Sequence, residues 1–414
     1  MTQTSVSPAP PAPQGEPSMD GDFGRIPTRD ELIERARELA PTLRERSKET
    51  AKLRRMPQET IDDLHRLGFF KVVQPKRYGG YEMDPSIIFD LQLELGRGCA
   101  STAWVYGVLN VHSWQLALFA PEAQDEVWKD DPTTLISSSY MPVAETEWVD
   151  GGVKVSGRWS FSSGCDYANW AFLGGFVPTE EGKPPDMRTF MIPRSDYEII
   201  DNWHTSGLRG SGSKDVVVDD VFVPDHRMHK FSDGFRQKNP GNEVNPSPVY
   251  RYPFGQIHVR SVSTPAVGAA FGALDAYVDY MKSKVSQATG GKAKDSFTNS
   301  VTAADAAALL DREVLVLRRN FTEMLEYIKG GEKIPLDRRV RFRNDSARAV
   351  NTATEVVENL FLTCGARAAF EDHPLNRHFQ DIHAIRLHHA NGPDGPAANM
   401  GGVLFGAKNT DFFI

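Results

Sequence analysis

Three short segments of this chain concentrate hydroxyl groups: Ser137-Ser138-Ser139-Tyr140, Ser160-Phe161-Ser162-Ser163-Gly164-Cys165-Asp166 and Gly210-Ser211-Gly212-Ser213. Ser and Gly make turns by habit, and that alone explains any single one of them. The second closes an alternating run, Val153 to Trp159, that reads as a β-strand. Polar turns at the mouth of one small apolar sheet are expected to wall a ligand site. A histidine is placed to join them. His112 continues the line Val105, Leu109, Leu116 at helical spacing and should point inward. Hydroxyls both donate and accept, and an imidazole can serve as base or charge partner near neutral pH.

The elements that must hold these groups follow from periodicity and stop signals. Residues 1–24, rich in Pro, Ser, Gln and Gly, read as a disordered tail. Residues 25–133 read as a helical domain. Thr28 and Glu31 form a capping box, Pro41 is expected to kink or break the first helix, Pro57 opens a short one that Gly68 closes, and Ser101 caps the helix bearing His112. Over 134–232 the period becomes two, with strands at 153–161, 169–176, 188–193, 196–202 and 215–223, an antiparallel barrel or sandwich. Residues 233–256 read as a linker. From 257 to 414 helices return near 260–286, along the stripe Ala303 to Ile328, and at 338–363 and 374–390, a four-helix bundle. The class is α+β.

Bulk properties exclude several functions. The net charge of −8, without a basic block, argues against nucleic acid and anionic membrane as partners. Three widely spaced cysteines argue against a disulfide framework and a Cys-based zinc site, no metal is expected, and a reducing cytoplasm fits. No apolar run approaches ~18 residues, and the N-terminus lacks the basic head and apolar core of a signal peptide.

The order helical, β, helical bundle resembles the acyl-CoA dehydrogenase fold. More narrowly, the chain resembles the oxygenase components of two-component, flavin-dependent aromatic hydroxylases, including those for steroid-degradation phenols and p-hydroxyphenylacetate. The matching segments are Leu53-Arg54-Arg55-Met56-Pro57, Gln74 to Gly80, Ser101-Thr102-Ala103-Trp104, Ile136 to Tyr140, Ser162 to Asp166, Ile192 to Ile199 and Gly207 to Ser213. The resemblance implies reduced FMN or FADH2 from a separate NAD(P)H-dependent reductase, dioxygen, and a flavin hydroperoxide that oxygenates a small aromatic, phenolic substrate. No G-x-G-x-x-G follows a strand, in keeping with reduction elsewhere.

The resemblance also implies roles. Ser163 accepts a hydrogen bond at flavin N5, with Ser162 and Trp159 shaping the flavin wall. His112 is the base toward the phenol and Ser138 the hydrogen-bond partner of its oxygen, with Trp104 packing the core or lining the pocket. His388, on the last bundle helix, faces the flavin from the opposite side, and His389 points elsewhere. Arg251 matches a basic residue near the flavin, the alternative being a surface ion pair. Lys284 is a candidate for the flavin phosphate, with Gly365 and Ala366 contributing; Asp166 caps its own turn. Ala390 stands where the p-hydroxyphenylacetate enzymes carry tyrosine, which argues for a differently shaped pocket. A homotetramer, with the flavin site completed by a neighbour, is implied too. The rivals are the same flavin chemistry on an indole, polyketide or N/S heteroatom, and a true acyl-CoA dehydrogenase, for which Ala390 to Asp394 offers no glutamate base.

Overall fold

The structure, a computed structural model, describes residues 25–285 and 290–414. The tail expected over 1–24 lies outside the described residues. Five helices come first: α1 Arg29–Leu53, α2 Gln58–Arg66, α3 Ser86–Gly98, α4 Ala100–Leu116 and α5 Pro121–Trp128. The capping box forms, with the Thr28 side chain accepting from the Glu31 amide and Glu31 accepting from the Thr28 amide. Gly68, at φ 79°, follows the end of α2 as expected.

Two local expectations fail here. Pro41 lies inside an unbroken α1. Pro41 and Arg37, whose carbonyl loses its partner to the proline, both sit on the exposed face, where water can satisfy that carbonyl. Ser101 does not cap α4. The helix starts one residue earlier, after an extended Cys99 (φ −153°) that breaks it from α3, and Ser101 is buried in its first turn.

Strands follow: β1 Ile136–Ser139, β2 Glu145–Val149, β3 Gly152–Ser162, β4 Trp170–Val177, β5 Asp186–Pro193, β6 Glu198–Ile200, β7 Lys214–Pro224 and β8 Met228–Lys230. They form two four-stranded sheets, β1-β4-β5-β8 and β2-β3-β7-β6. The pairing is not wholly antiparallel, because β1 runs parallel to β4, with Ser138 opposite Phe172. Alternate side chains such as Val153, Val155, Trp159, Leu173, Phe190 and Val216 fill the apolar core of this region.

The segment read as a linker carries α6 Phe231–Arg236 and two short 3₁₀ turns, and the next helix, α7 Phe254–Ser283, starts directly after Pro253. Then come α8 Phe297–Lys329, α9 Leu336–Thr363, α10 Pro374–Arg386 and α11 Asp394–Leu404. Helices α7 to α10 pack against one another, and α3 and α4 lie on α7. Two corrections follow. The helix expected over 374–390 stops at Arg386, so His388 sits on the loop before a short 3₁₀ turn, and α11 comes after it. Among the described residues, no helix is long and apolar enough to cross a membrane.

Candidate active site

Helix α4 is buried along its whole length and carries two aromatic heads, Trp104 and His112. At the first, the Trp104 indole Nε1 donates to Ser163 Oγ at 2.9 Å. Ser163 Oγ is 2.7 Å from Ser213 Oγ, which is 2.7 Å from Ser211 Oγ. Two of the three hydroxyl-rich segments therefore meet, and the backbone joins them too, since the Gly164 amide donates to the Ser211 carbonyl at 3.0 Å. Gly164 is required at this turn. Its φ is +71°, and an added Cβ would lie 2.8 Å from Val105 Cγ1 on α4.

The proton count of this hydroxyl chain decides what it can do. Each serine has one O–H and two lone pairs. Trp104 occupies one lone pair of Ser163. If Ser163 donates to Ser213, one lone pair remains to accept an N–H from a ligand. Ser162 Oγ, on the preceding residue, is buried with no hydrogen-bond partner. A free acceptor and an unsatisfied hydroxyl fit the polar edge of a flavin ring.

At the second head, His112 Nδ1 is 2.6 Å from the Ile136 carbonyl and Nε2 is 2.7 Å from Ser138 Oγ. A carbonyl only accepts, so Nδ1 carries the proton, and in the neutral ring Nε2 accepts from the Ser138 hydroxyl. Burial pushes the His112 pKa from 6.5 down to about 4, against the opposing pull of the Ile136 carbonyl. The ring is neutral at pH 7, so Nε2 can accept a proton and the ring carries no charge. Ile136 and Ser138, two apart on β1, fix both nitrogens from one strand.

The other groups gather around this pair. Tyr140, after β1, stands edge-on to His112 and to His258 of α7, with ring centroids 6.1 and 5.3 Å apart, and its hydroxyl donates to Gln115 Oε1. His258 lies 6.3 Å from His388, and His388 lies 5.5 Å from Trp104. Burial brings the His388 pKa down to about 4, with His389 and Arg343 adding to it, and lowers His258 well below its ordinary value. His388 Nδ1 accepts from the Ala390 amide at 3.2 Å, which leaves Nε2 to carry the proton in the neutral ring.

Ser162 precedes Ser163 in the chain, and Ser138, His112, Trp104, Ser163 and His388 are thus linked by contacts. Trp159 is not: it is buried in the sheet region, where its Nε1 donates to the Gly174 carbonyl at 2.9 Å. Alternation along β3 puts it on the core side. Arg251 is exposed on the loop before α7. Asp166 does not cap its turn; it pairs with the buried Lys214 at 2.7 Å, because an ammonium in that position demands a partner. Trp114 is a core residue, donating to the Val249 carbonyl at 2.7 Å.

Lys284, Gly365 and Ala366 form a second group. Lys284 Nζ donates to the Cys364 carbonyl at 2.9 Å, next to Gly365 at φ 74°. His258 is near the start of α7 and Lys284 just past its end, so roughly 35–40 Å of helix separates them. One chain does not bring both groups to the same end of a flavin. Sequence reasoning missed Tyr140, Gln115, His258 and Arg343. Tyr140 ends a segment already singled out, and His258 lies on the first half of α7, which mixes polar and apolar residues and is buried on every side, so spacing gives its side chain no direction.

Residues 27–131 and 261–393 match the family models described as acyl-CoA dehydrogenase, N-terminal domain, and acyl-CoA dehydrogenase, C-terminal domain. The chain is 42% identical over 383 residues to the flavin-dependent monooxygenase, oxygenase subunit HsaA, of Rhodococcus jostii (strain RHA1), covering 92% of this chain and 100% of that protein. It is 32% identical over 386 residues to the FADH(2)-dependent resorcinol hydroxylase, oxygenase component, of Rhizobium sp. (strain MTP-10005), covering 91% of this chain and 94% of that one. The crystal structure of 3-HSA hydroxylase from Rhodococcus sp. RHA1 superposes with a TM-score of 0.89 at 42% identity, covering 94% of this chain and 100% of that chain.

Proposed function

The chain belongs to the oxygenase subunits of the flavin-dependent monooxygenases built on the acyl-CoA dehydrogenase fold, and from that premise we propose that it hydroxylates a phenol. The name oxygenase subunit implies a separate reductase component, and we assign that component the supply of reduced FMN or FADH2 from NAD(P)H. Bound reduced flavin supplies two electrons to dioxygen, so that one oxygen atom replaces a ring hydrogen as hydroxyl and the other leaves as water.

The observation that carries the phenol reading is the Ser138–His112–Ile136 relay, with distances of 2.7 and 2.6 Å. The phenol hydroxyl donates to Ser138 Oγ, Ser138 donates to His112 Nε2, and the Ile136 carbonyl holds the proton already on Nδ1. As the ring attacks, its hydroxyl proton moves through Ser138 to His112, which puts electron density into the ring when it is needed. Ser163, which keeps a free lone pair, would accept from the flavin N5–H and keep that proton from water. Trp104 fixes Ser163, and we assign the His388 Nε2–H to the face of the ring opposite Ser163. Tyr140, His258 and Trp104 wall the ring and exclude solvent. We assign the flavin phosphate to Lys284, Gly365 and Ala366 of a second copy of the chain in a homotetramer, which reconciles that group with its distance from Ser163. A dehydrogenase would need a carboxylate base, and Ala390 to Asp394 supplies no glutamate.

The test is to mix the full chain with photoreduced FMN or FAD, dioxygen and a panel of phenols, and to weigh products against peroxide. A product heavier by one oxygen atom, formed from at least one phenol, is expected. Recovery of all consumed dioxygen as hydrogen peroxide across the panel refutes the reading.

A further inference from the structure

We propose that Phe413 is a specificity-determining wall of the ring pocket, held there by Asp411 and Arg343 as positioning residues. The chain then selects phenols by the bulk of the substituent opposite the hydroxyl. The inference rests on the phenol reading above and deepens it.

Phe413 lies beyond the bundle in sequence but stacks on His258, with ring centroids 5.5 Å apart and planes 26° apart. Phe254 also stacks on the same imidazole, with centroids 5.6 Å apart. His258 in turn borders Tyr140 and His388. Counting outward from the proton relay, ring contacts run from His112 to Tyr140, to His258 and to Phe413. Phe413 is thus the ring furthest along this series from His112, and we place it where a substituent opposite the phenol oxygen would go.

The way the segment is fastened argues for a built wall. Asp411 Oδ1 accepts from the Phe413 amide at 2.8 Å, while Oδ2 pairs with Arg343 Nε at 3.2 Å. Arg343 is buried on α9, so this one carboxylate ties the Phe413 backbone to the bundle. The Arg339 guanidinium donates to the Ile414 carbonyl. Asn409 donates to the Asp411 carbonyl at 2.7 Å and accepts from Asn399 of α11 at 2.8 Å. Gly255 at the start of α7 makes room: an added Cβ would lie 2.5 Å from the Phe413 carbonyl carbon. A segment of no consequence to the pocket needs none of this. A side chain aimed at His258 needs all of it, since a slip of the backbone by one residue would present Phe412 or Ile414 instead.

The experiment is isothermal titration of the full chain with phenol and with 4-cyclohexylphenol, without reduced flavin, comparing wild type with F413A, F413L, D411N and D411E. In apolar pockets one methylene changes discrimination by about 10-fold or more. F413A should therefore raise affinity for 4-cyclohexylphenol relative to phenol at least about tenfold, with F413L between. D411N should move the ratio the same way by less, and D411E should restore it. A ratio unchanged or lowered in both Phe413 variants overturns the wall, as does a wild type that binds neither phenol. A ratio unmoved by D411N overturns the positioning role. A chain that shows the expected ratios yet hydroxylates no phenol of the wider panel supports the wall and refutes the hydroxylase reading instead.

Discussion

A phenol bound against Ser138 should remain protonated at pH 7 until the ring is attacked. The pKa of His112 is brought to about 4 by burial, whereas a phenol sits near 10. Moving the proton before reaction is uphill by 10 − 4, about six pK units or roughly 8 kcal/mol. The resulting phenolate and imidazolium would attract each other across the serine, at about 5 Å. At an effective dielectric of about 20 that returns roughly 3 kcal/mol. Some 5 kcal/mol remains against the ion pair, so fewer than about one bound phenol in a thousand is ionised. His112 then acts as a general base in the transition state, a contribution of about 10²–10⁴-fold. The assay is an ultraviolet difference spectrum of a phenol bound to the chain without flavin, where phenolate absorbs to the red of phenol. A stoichiometric phenolate band at pH 7 that vanishes in H112N would refute the reasoning. Kinetics give the second arm. S138A and H112N should slow hydroxylation of an ordinary phenol by about 10²-fold or more, yet barely affect 4-nitrophenol at pH 8, where it is already ionised. Each ratio compares variant with wild type on one substrate, so ring reactivity cancels.

Three further outcomes are expected. S163A removes the proposed N5 acceptor and strands the buried Trp104 N–H, so the peroxide released per product should rise severalfold; unchanged coupling removes Ser163 from its role. G164A forces a side chain to φ +71° against Val105 and should cost about 1–3 kcal/mol in urea unfolding while raising peroxide release, and a wild-type midpoint would contradict this. Acid should weaken the fold through its buried imidazoles. His112 takes up its proton at about 4 in the native chain and near 6.5 when unfolded. The native state therefore binds fewer protons in that window, and stability present above pH 6.5 is lost as pH falls, by about 2 kcal/mol at pH 5. H112N should narrow the gap in urea midpoint between pH 7 and pH 5; an equal gap counts against a neutral His112.

The helical and strand periods were legible from their spacing, and His112 points inward as expected, although α4 is buried on every side, so any phase of that helix would have done the same. The capping box at Thr28 was legible for the same reason, a local rule with local partners. What failed were places where tertiary packing overrules local preference. Pro41 survives inside α1 because its stranded carbonyl faces water. Trp159 lies just before a matched segment, but the alternation of β3 sends it to the sheet core while Ser163, past the register shift in that strand, turns out toward α4. His388 was placed on a helix that ends two residues before it. His258 and Phe413 could not be found by spacing, since the first is on a stretch of α7 that is buried on every side and mixes polar with apolar residues, and the second reaches His258 through a fold-back that Asp411 and Arg343 fasten.

The two halves of the site are spaced by one rod. Trp104 and His112 are eight residues apart on α4, roughly 12 Å along its axis. The rod is buried throughout, and α3 and α7 hold its sides. The turns that meet it carry the cost of being aimed. Phe161, at φ 68°, precedes the Ser163 turn, and Leu208, at φ 49°, precedes the Ser211–Ser213 turn. Left-handed backbone at such residues costs about 1–3 kcal/mol each. Each is held in place from outside its own loop. The Leu208 amide donates at 2.8 Å to Asp381, buried on α10, and the turn after Phe161 is pinned by Gly164 against Val105 and by Ser163 against Trp104. Strain lies on the acceptor side of the pocket, while the base side is built from a regular strand and helix. That asymmetry matches the demands of the chemistry. A proton relay through Ser138 needs only hydrogen-bond contact, but an acceptor that must face one ring nitrogen and exclude water needs its hydroxyl fixed in direction as well as in place.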